Sequence, residues 1–162
     1  DEATTMGPMI NAQALTKVDA LVEDAVTKGA KVLAGGKLSE LGGNFYEPTV
    51  LTQMTTDMRM YREEIFGPVA PMYIFKNEDD VVKQANDTEY GLAAYFYTKD
   101  MARSWRVSTA LQAGGVCVNA AGGFGGGPFG GYKESGLGRE QGRVDALNDW
   151  CEVKSVSIAH IC

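Results

Sequence analysis

VAPMYIFKNEDDVVKQANDTEYGLAAYFYTKDMARSWRVSTALQAGGVCV, residues 69–118, decides the fold class. Val69 to Phe75 is an apolar, partly aromatic run of strand length. Asn77 then offers a side-chain cap, and Glu78, Asp79 and Asp80 suit the positive end of a helix dipole. That helix carries Val81, Val82 and Ala85 and stops before Gly91. Leu92 to Thr98 reads as a second strand. Asp100 caps a second helix, with Trp105 and Leu111 in its buried stripe. After the Gly114–Gly115 break, Val116 to Val118 starts a third strand. Alternating strand and helix predicts an α/β fold, a mostly parallel sheet with flanking helices.

The pattern extends both ways. From Ala12 to Lys28, Leu15, Val18, Val22, Ala25 and Val26 fall at helical spacing, and Gly29 sits just past the end. Lys31 to Ala34 reads as a short strand closed by Gly35 and Gly36, and Phe45 to Leu51 as an extended segment, at an edge or irregular because of Pro48. Downstream comes a glycine-rich loop, a helix from Arg139 to Trp150, and a last strand from Glu152 to Ile158. That strand's alternation suits an edge or an inter-subunit contact. Residues 1–150 are thus expected to form one domain, and residues 151–162 a C-terminal strand and tail.

The 162 residues suffice for one domain with a core, and 44% hydrophobic with 22% charged residues is a globular composition. A net charge of −6 argues against nucleic acid as a partner. No apolar run approaches the roughly 18 residues of a membrane span, and no leader precedes the first helix. Cys117, Cys151 and Cys162 form no C-x-x-C, so neither a disulfide framework nor a metal site is indicated; a cytoplasmic home is expected. Asn86–Thr88 fits a glycosylation sequon by chance. The polar opening without an initiator Met points to a piece of something longer.

Few residues can carry chemistry. In the loop NAAGGFGGGPFGGYKESGLGRE, residues 119–140, Gly125, Gly127 and Gly130 formally match a dinucleotide fingerprint. Pro128 interrupts it, and no helix opens there to face a pyrophosphate. With Phe124 and Phe129 among the glycines, the loop is either a substrate-facing wall or a turn plugged by buried phenylalanines. His160 is too close to the end to serve a triad. Cys117, between Val116 and Val118, reads as a core residue. In YREEIFGPVA, residues 61–70, an extended backbone would send Glu63 and Glu64 to opposite sides, so they cannot share a proton. Glu64 and Phe66 would share a side. A carboxylate accepts two vicinal hydroxyls and an aromatic covers a planar ring, so the pair is either a clamp for such a ligand or a plain surface loop.

These residues resemble the aldehyde dehydrogenase superfamily. EEIFGPV looks like that family's E-x-F-G-P motif. GPMINAQALTKV, GAKVLAGG, FYEPTVL, NDTEYGLAAYFYTKD, PFGGYKESGLGRE and EVKSVSI also match in order, from about Met6 to Ile158. The resemblance implies the catalytic-domain part of that fold, with a C-terminal oligomerisation strand at residues 152–158 that builds a homo-dimer or tetramer. It implies that Glu64 holds the nicotinamide ribose of NAD or NADP, that Phe66 packs near the nicotinamide, and that Phe129, with Phe124, lines the substrate tunnel.

The family's nucleophile, a cysteine in a G-Q-x-C context, has no counterpart here, and none of the three cysteines matches its position. Its general base, a glutamate in an E-L-G-G context, belongs upstream of the resembling region, and that motif too is expected to be absent from this chain. In the complete enzyme a thiolate attacks the aldehyde, hydride passes to NAD(P)⁺, and water activated by the base releases the acid. This chain is therefore expected to carry no catalytic residue and to be inactive alone. The alternative is a stand-alone, catalytically silent module that associates with itself or with a complete subunit. The nearest branch is that of the succinate-semialdehyde dehydrogenases, although residues 120–127 contain neither the serine used there for the substrate carboxylate nor a cation.

Overall fold

The computed structural model describes residues 4–122, 126–142 and 144–158. The chain divides into two compact units, residues 1–75 and 76–162.

The first unit is built on helix α1, Ala12–Thr27, which buries Val18, Leu21, Val22 and Ala25. Their spacing puts all four on one stripe. Asn11 caps the helix, its Oδ1 accepting from the Ala14 N–H at 2.8 Å. The C-terminus closes as the sequence predicts. Gly29, at φ 103°, donates to the Val26 carbonyl, and Ala30 donates to the Ala25 carbonyl. This is a Schellman arrangement that only a residue tolerant of positive φ closes cheaply.

Strands β1 (Lys31–Ala34), β2 (Thr49–Thr52) and β3 (Val69–Pro71) form a sheet in that order, β1–β2 antiparallel and β2–β3 parallel. Leu51 and Thr49 on the buried face of β2 meet the helix side, and Met54, Met58 and Met60 complete the core. The buried Thr49 hydroxyl donates to the Glu47 carbonyl and accepts from the Gly36 N–H, so it carries no desolvation penalty.

The second unit opens with α2 (Glu78–Asn86), capped as expected by Asn77, whose Oδ1 accepts from the Asp80 N–H at 3.0 Å. Strands β4 (Tyr90–Gly91) and β5 (Ala93–Phe96), helix α3 (Met101–Ala110), β6 (Gly115–Val118), β7 (Tyr132–Lys133) and α4 (Val144–Trp150) follow. The β5–α3–β6 crossover delivers a parallel β5–β6 pair, while β4 and β7 pair antiparallel. Asp100 caps α3 through the Ala102 and Arg103 N–H groups. Glu78 joins α2 to α3: its two oxygens accept from Arg106 and Arg103 at 2.9–3.0 Å, and these bonds hold its carboxyl down at about 2.

Three expectations are corrected. The sheet is not mostly parallel: among the described residues two of the four strand pairings are antiparallel, because neither β1–β2 nor β4–β7 is a single-helix crossover. The last helix begins at Val144 rather than Arg139, because Gly138, Gln141 and Gly142 sit at positive φ, which no helix accommodates. Trp105 is 74% exposed, and Val107 is the buried residue of α3. Within the single chain, residues 152–158 lie exposed and pair with no described strand. No helix among the described residues is long and apolar enough to cross a membrane.

Two measurements test this packing. Leu21→Ala, which empties a fully buried position, is expected to cost about 2–5 kcal/mol in denaturant unfolding, whereas Trp105→Ala stays within about 0.5 kcal/mol. Because the folded Glu78 carboxyl titrates below its ordinary 4.5, its contribution is complete above that pH and is lost as pH falls toward 2. Glu78→Gln should therefore flatten that part of the acid limb in thermal melts recorded across this range.

Candidate functional site

The Glu64–Phe66 segment leaves a 3-10 turn at Arg59–Tyr61 and reaches β3 without regular structure of its own. The two carboxylates of the doublet are separated, as strand geometry predicts, but by different means. Glu63 folds back onto Arg59 rather than its neighbour Arg62, in a bidentate pair with Nε–Oε1 2.7 Å and Nη2–Oε2 2.9 Å. That hydrogen bonding holds the Glu63 carboxyl below its usual range. Glu64 points to solvent, and among the described residues no group pairs with its carboxylate. Its carbonyl accepts from Lys17 Nζ at 2.5 Å.

Phe66 departs from the expected extended backbone: it sits at φ 49°, and its ring is 79% exposed. Such a conformation is unfavourable for an aromatic residue and persists only where neighbours enforce it. One neighbour is evident. A Cβ on Gly67 would fall 2.5 Å from Val18 Cγ2, so only glycine lets this stretch lie against α1. Ile65 packs onto the core, and Ile65 and Phe66 join Pro8, Met9, Ala14 and Lys17 around an apolar concavity of about 320 Å³. An unpaired carboxylate beside an exposed aromatic and an apolar hollow suits a ligand with vicinal hydroxyls and a planar ring.

Phe129 belongs to the second unit. It is half-buried and exchanges both backbone hydrogen bonds with Glu140, each at 2.6 Å. Around it the loop is stapled rather than floppy. Arg139 Nη1 donates to the Gly131 and Gly138 carbonyls, its guanidinium lies 5.4 Å from the Tyr132 ring centroid, and its backbone N–H donates to Asp149 Oδ2. Lys133 Nζ reaches the Asn86 and Thr88 carbonyls at 2.7 and 2.8 Å, and Ser135 Oγ accepts from the Gly91 N–H. The YKES stretch is thus the clasp of its own loop onto residues 86–91. Asn86, the sequon residue, is engaged at both side-chain ends, donating to the Ala110 carbonyl and accepting from the Gln112 N–H. Phe124, His160 and Cys162 lie outside the described residues.

Cys117 is buried on β6 opposite Tyr95, the packing position expected of it. Against the expectation that the chain lacks that motif, residues 40–43 spell E-L-G-G. They form an exposed turn in the β1–β2 connection, with Gly42 and Gly43 at positive φ, and Glu40 is absent from the concavity at Phe66. Among the described residues no three His, Cys, Asp or Glu side chains converge as a metal site. Lys17, Gly67 and Arg139 were not singled out from the sequence. Lys17 meets its partner 47 positions away, which no local pattern announces.

Known proteins agree with the motif reading. The model of the aldehyde dehydrogenase family matches residues 1–156. The chain is 48% identical to the NADP(+) succinate-semialdehyde dehydrogenase GabD of Escherichia coli, covering 98% of this chain and 33% of that one. It is 49% identical to a glutarate-semialdehyde dehydrogenase of Pseudomonas putida, again over 98% and 33%. The NAD+ complex of an aldehyde dehydrogenase from Bacillus cereus superposes with a TM-score of 0.88 at 40% identity, over 96% of this chain and 32% of that one. The chain therefore spans about a third of the length of its curated relatives, and within that third it belongs to the aldehyde dehydrogenase family.

Proposed function

We propose that the chain is the C-terminal part of an NAD(P)-dependent aldehyde dehydrogenase, oxidising an aldehyde to a carboxylic acid. The observation that carries this reading is the unpaired Glu64 carboxylate beside the exposed Phe66 ring, within a chain whose family match spans residues 1–156. When bound, NAD(P)⁺ supplies the hydride acceptor. Glu64 would hold the nicotinamide-ribose hydroxyls, two acceptor oxygens for two donors. Phe66 would give the nicotinamide an apolar face, and Phe129 the substrate a wall. Positioning of this kind lowers a barrier by fixing reactants in place; it does not supply a nucleophile or a base. Residues 1–150 are assigned to the catalytic domain and residues 151–162 to oligomerisation.

Succinate semialdehyde is the first substrate to examine, because GabD and the Pseudomonas putida enzyme are named for succinate and glutarate semialdehydes. The aldehyde and cofactor assay has two parts. The 162-residue chain alone should form no NAD(P)H from succinate semialdehyde at 340 nm; steady formation would overturn its assignment as a non-catalytic part. In a complete enzyme carrying this chain, Glu64→Gln should weaken NAD(P)⁺ binding about ten- to a hundredfold by calorimetry, the loss of a charged acceptor worth about 1.5–3 kcal/mol. Unchanged affinity would remove Glu64 from the cofactor site.

A further inference from the structure

We infer that Lys17 is a positioning residue that holds the Glu64–Phe66 clamp in its strained form, an inference that rests on the cofactor reading of that clamp. The segment from Glu64 to Pro68 has no ladder or helical bond along its own length to set its course. It is fixed instead at three points. Upstream, Glu63 is locked to Arg59, and its N–H donates to the Arg59 carbonyl. Downstream, Gly67 lies against Val18, and the Pro68 carbonyl accepts from the Thr49 N–H at 2.8 Å. Between them, Lys17 Nζ grips the Glu64 carbonyl.

This middle tether bears directly on the clamp. Phe66 relaxes from φ 49° by turning the Ile65–Phe66 peptide plane, and with the chain pinned on both sides that turn needs a compensating turn of the plane before it, the one that follows Glu64. Lys17 opposes the turn by holding the plane's oxygen. Lys17 and Val18 are adjacent on α1, so one turn of helix sets both the carbonyl grip and the glycine seat. A ligand-binding pair held in this way needs less ordering when its ligand arrives.

Hydrogen exchange of the 162-residue chain tests the tether without any cofactor. In Lys17→Met, the amides of Glu63 and Val69, which donate to the Arg59 and Gly67 carbonyls at the two ends of the tethered segment, should exchange about tenfold faster or more, the loss of one charged hydrogen bond. Amides of residues 21–25 and 50–52 should keep their rates. Lys17→Arg, which can still donate to a carbonyl, should restore slow exchange at Glu63 and Val69. Unchanged exchange in Lys17→Met overturns the inference, and so does faster exchange throughout α1, which would mark Lys17 as a general support of the helix. Calorimetric NAD(P)⁺ titration of the complete enzyme then separates the two readings. Weaker binding in Lys17→Met, rescued by Lys17→Arg, supports a positioning role in cofactor binding. If Glu64→Gln binds normally while Lys17→Met still speeds exchange at Glu63 and Val69, the tether stands and the cofactor assignment of its target falls.

Discussion

The contact of Val18 with the glycine at position 67 is the constraint around which the first unit is arranged. Val18 is fully buried, so α1 cannot rotate without exposing the stripe it shares with Leu21, Val22 and Ala25. Any side chain at position 67 would push the chain away from that helix. The approach fixes where the segment before β3 runs, and through it where Glu64 and Phe66 project. The same core that stabilises the unit therefore aims its candidate ligand-binding groups. Burying a leucine-sized side chain contributes about 1.5–3 kcal/mol, of the same size as the ~1–3 kcal/mol that one residue in a left-handed conformation costs.

The two units differ in what holds them. In the first, ten buried side chains form a continuous cluster. In the second, the buried hydrophobic side chains among the described residues are Val107 and Cys117, while Tyr95, Tyr97, Met101, Trp105 and Trp150 are exposed. Its order comes from capped helices, the Glu78–arginine fork and side chains that finish backbone ladders. Asn119 is one example, accepting from the Thr98 N–H and donating to the Thr98 carbonyl just beyond the β5–β6 pair. Large apolar surface of this kind is uncommon on a self-sufficient monomer and accords with a region whose relatives are about three times as long.

Local chemistry made the helices legible. Asn77 and Asp100 cap where their side chains predict, and Gly29 closes α1 as expected, while Asn11 adds a cap not expected from the sequence. Strand partners were less legible, because pairing direction depends on connections that period-2 patterns do not encode. Residues 152–158 alternate and yet pair with no described strand of this chain, so alternation alone does not supply a partner. At the site, the carboxylate and aromatic were readable as chemistry. Their geometry was not, since the left-handed Phe66 and the grip of Lys17 arise from contacts distant in sequence.

The clasp of Lys133 on the carbonyls of Asn86 and Thr88 depends in turn on the crossover that it spans. It joins residues 47 and 45 positions apart, and between them lie all of β5, α3 and β6. Closing so long a loop gains nothing until its ends meet, and the intervening crossover shortens it by bringing Tyr132 to Gly91. Without that crossover, Lys133 and its carbonyl partners would have to meet across the whole loop, so a substitution that loosens β5, α3 or β6 would reach the clasp without touching it.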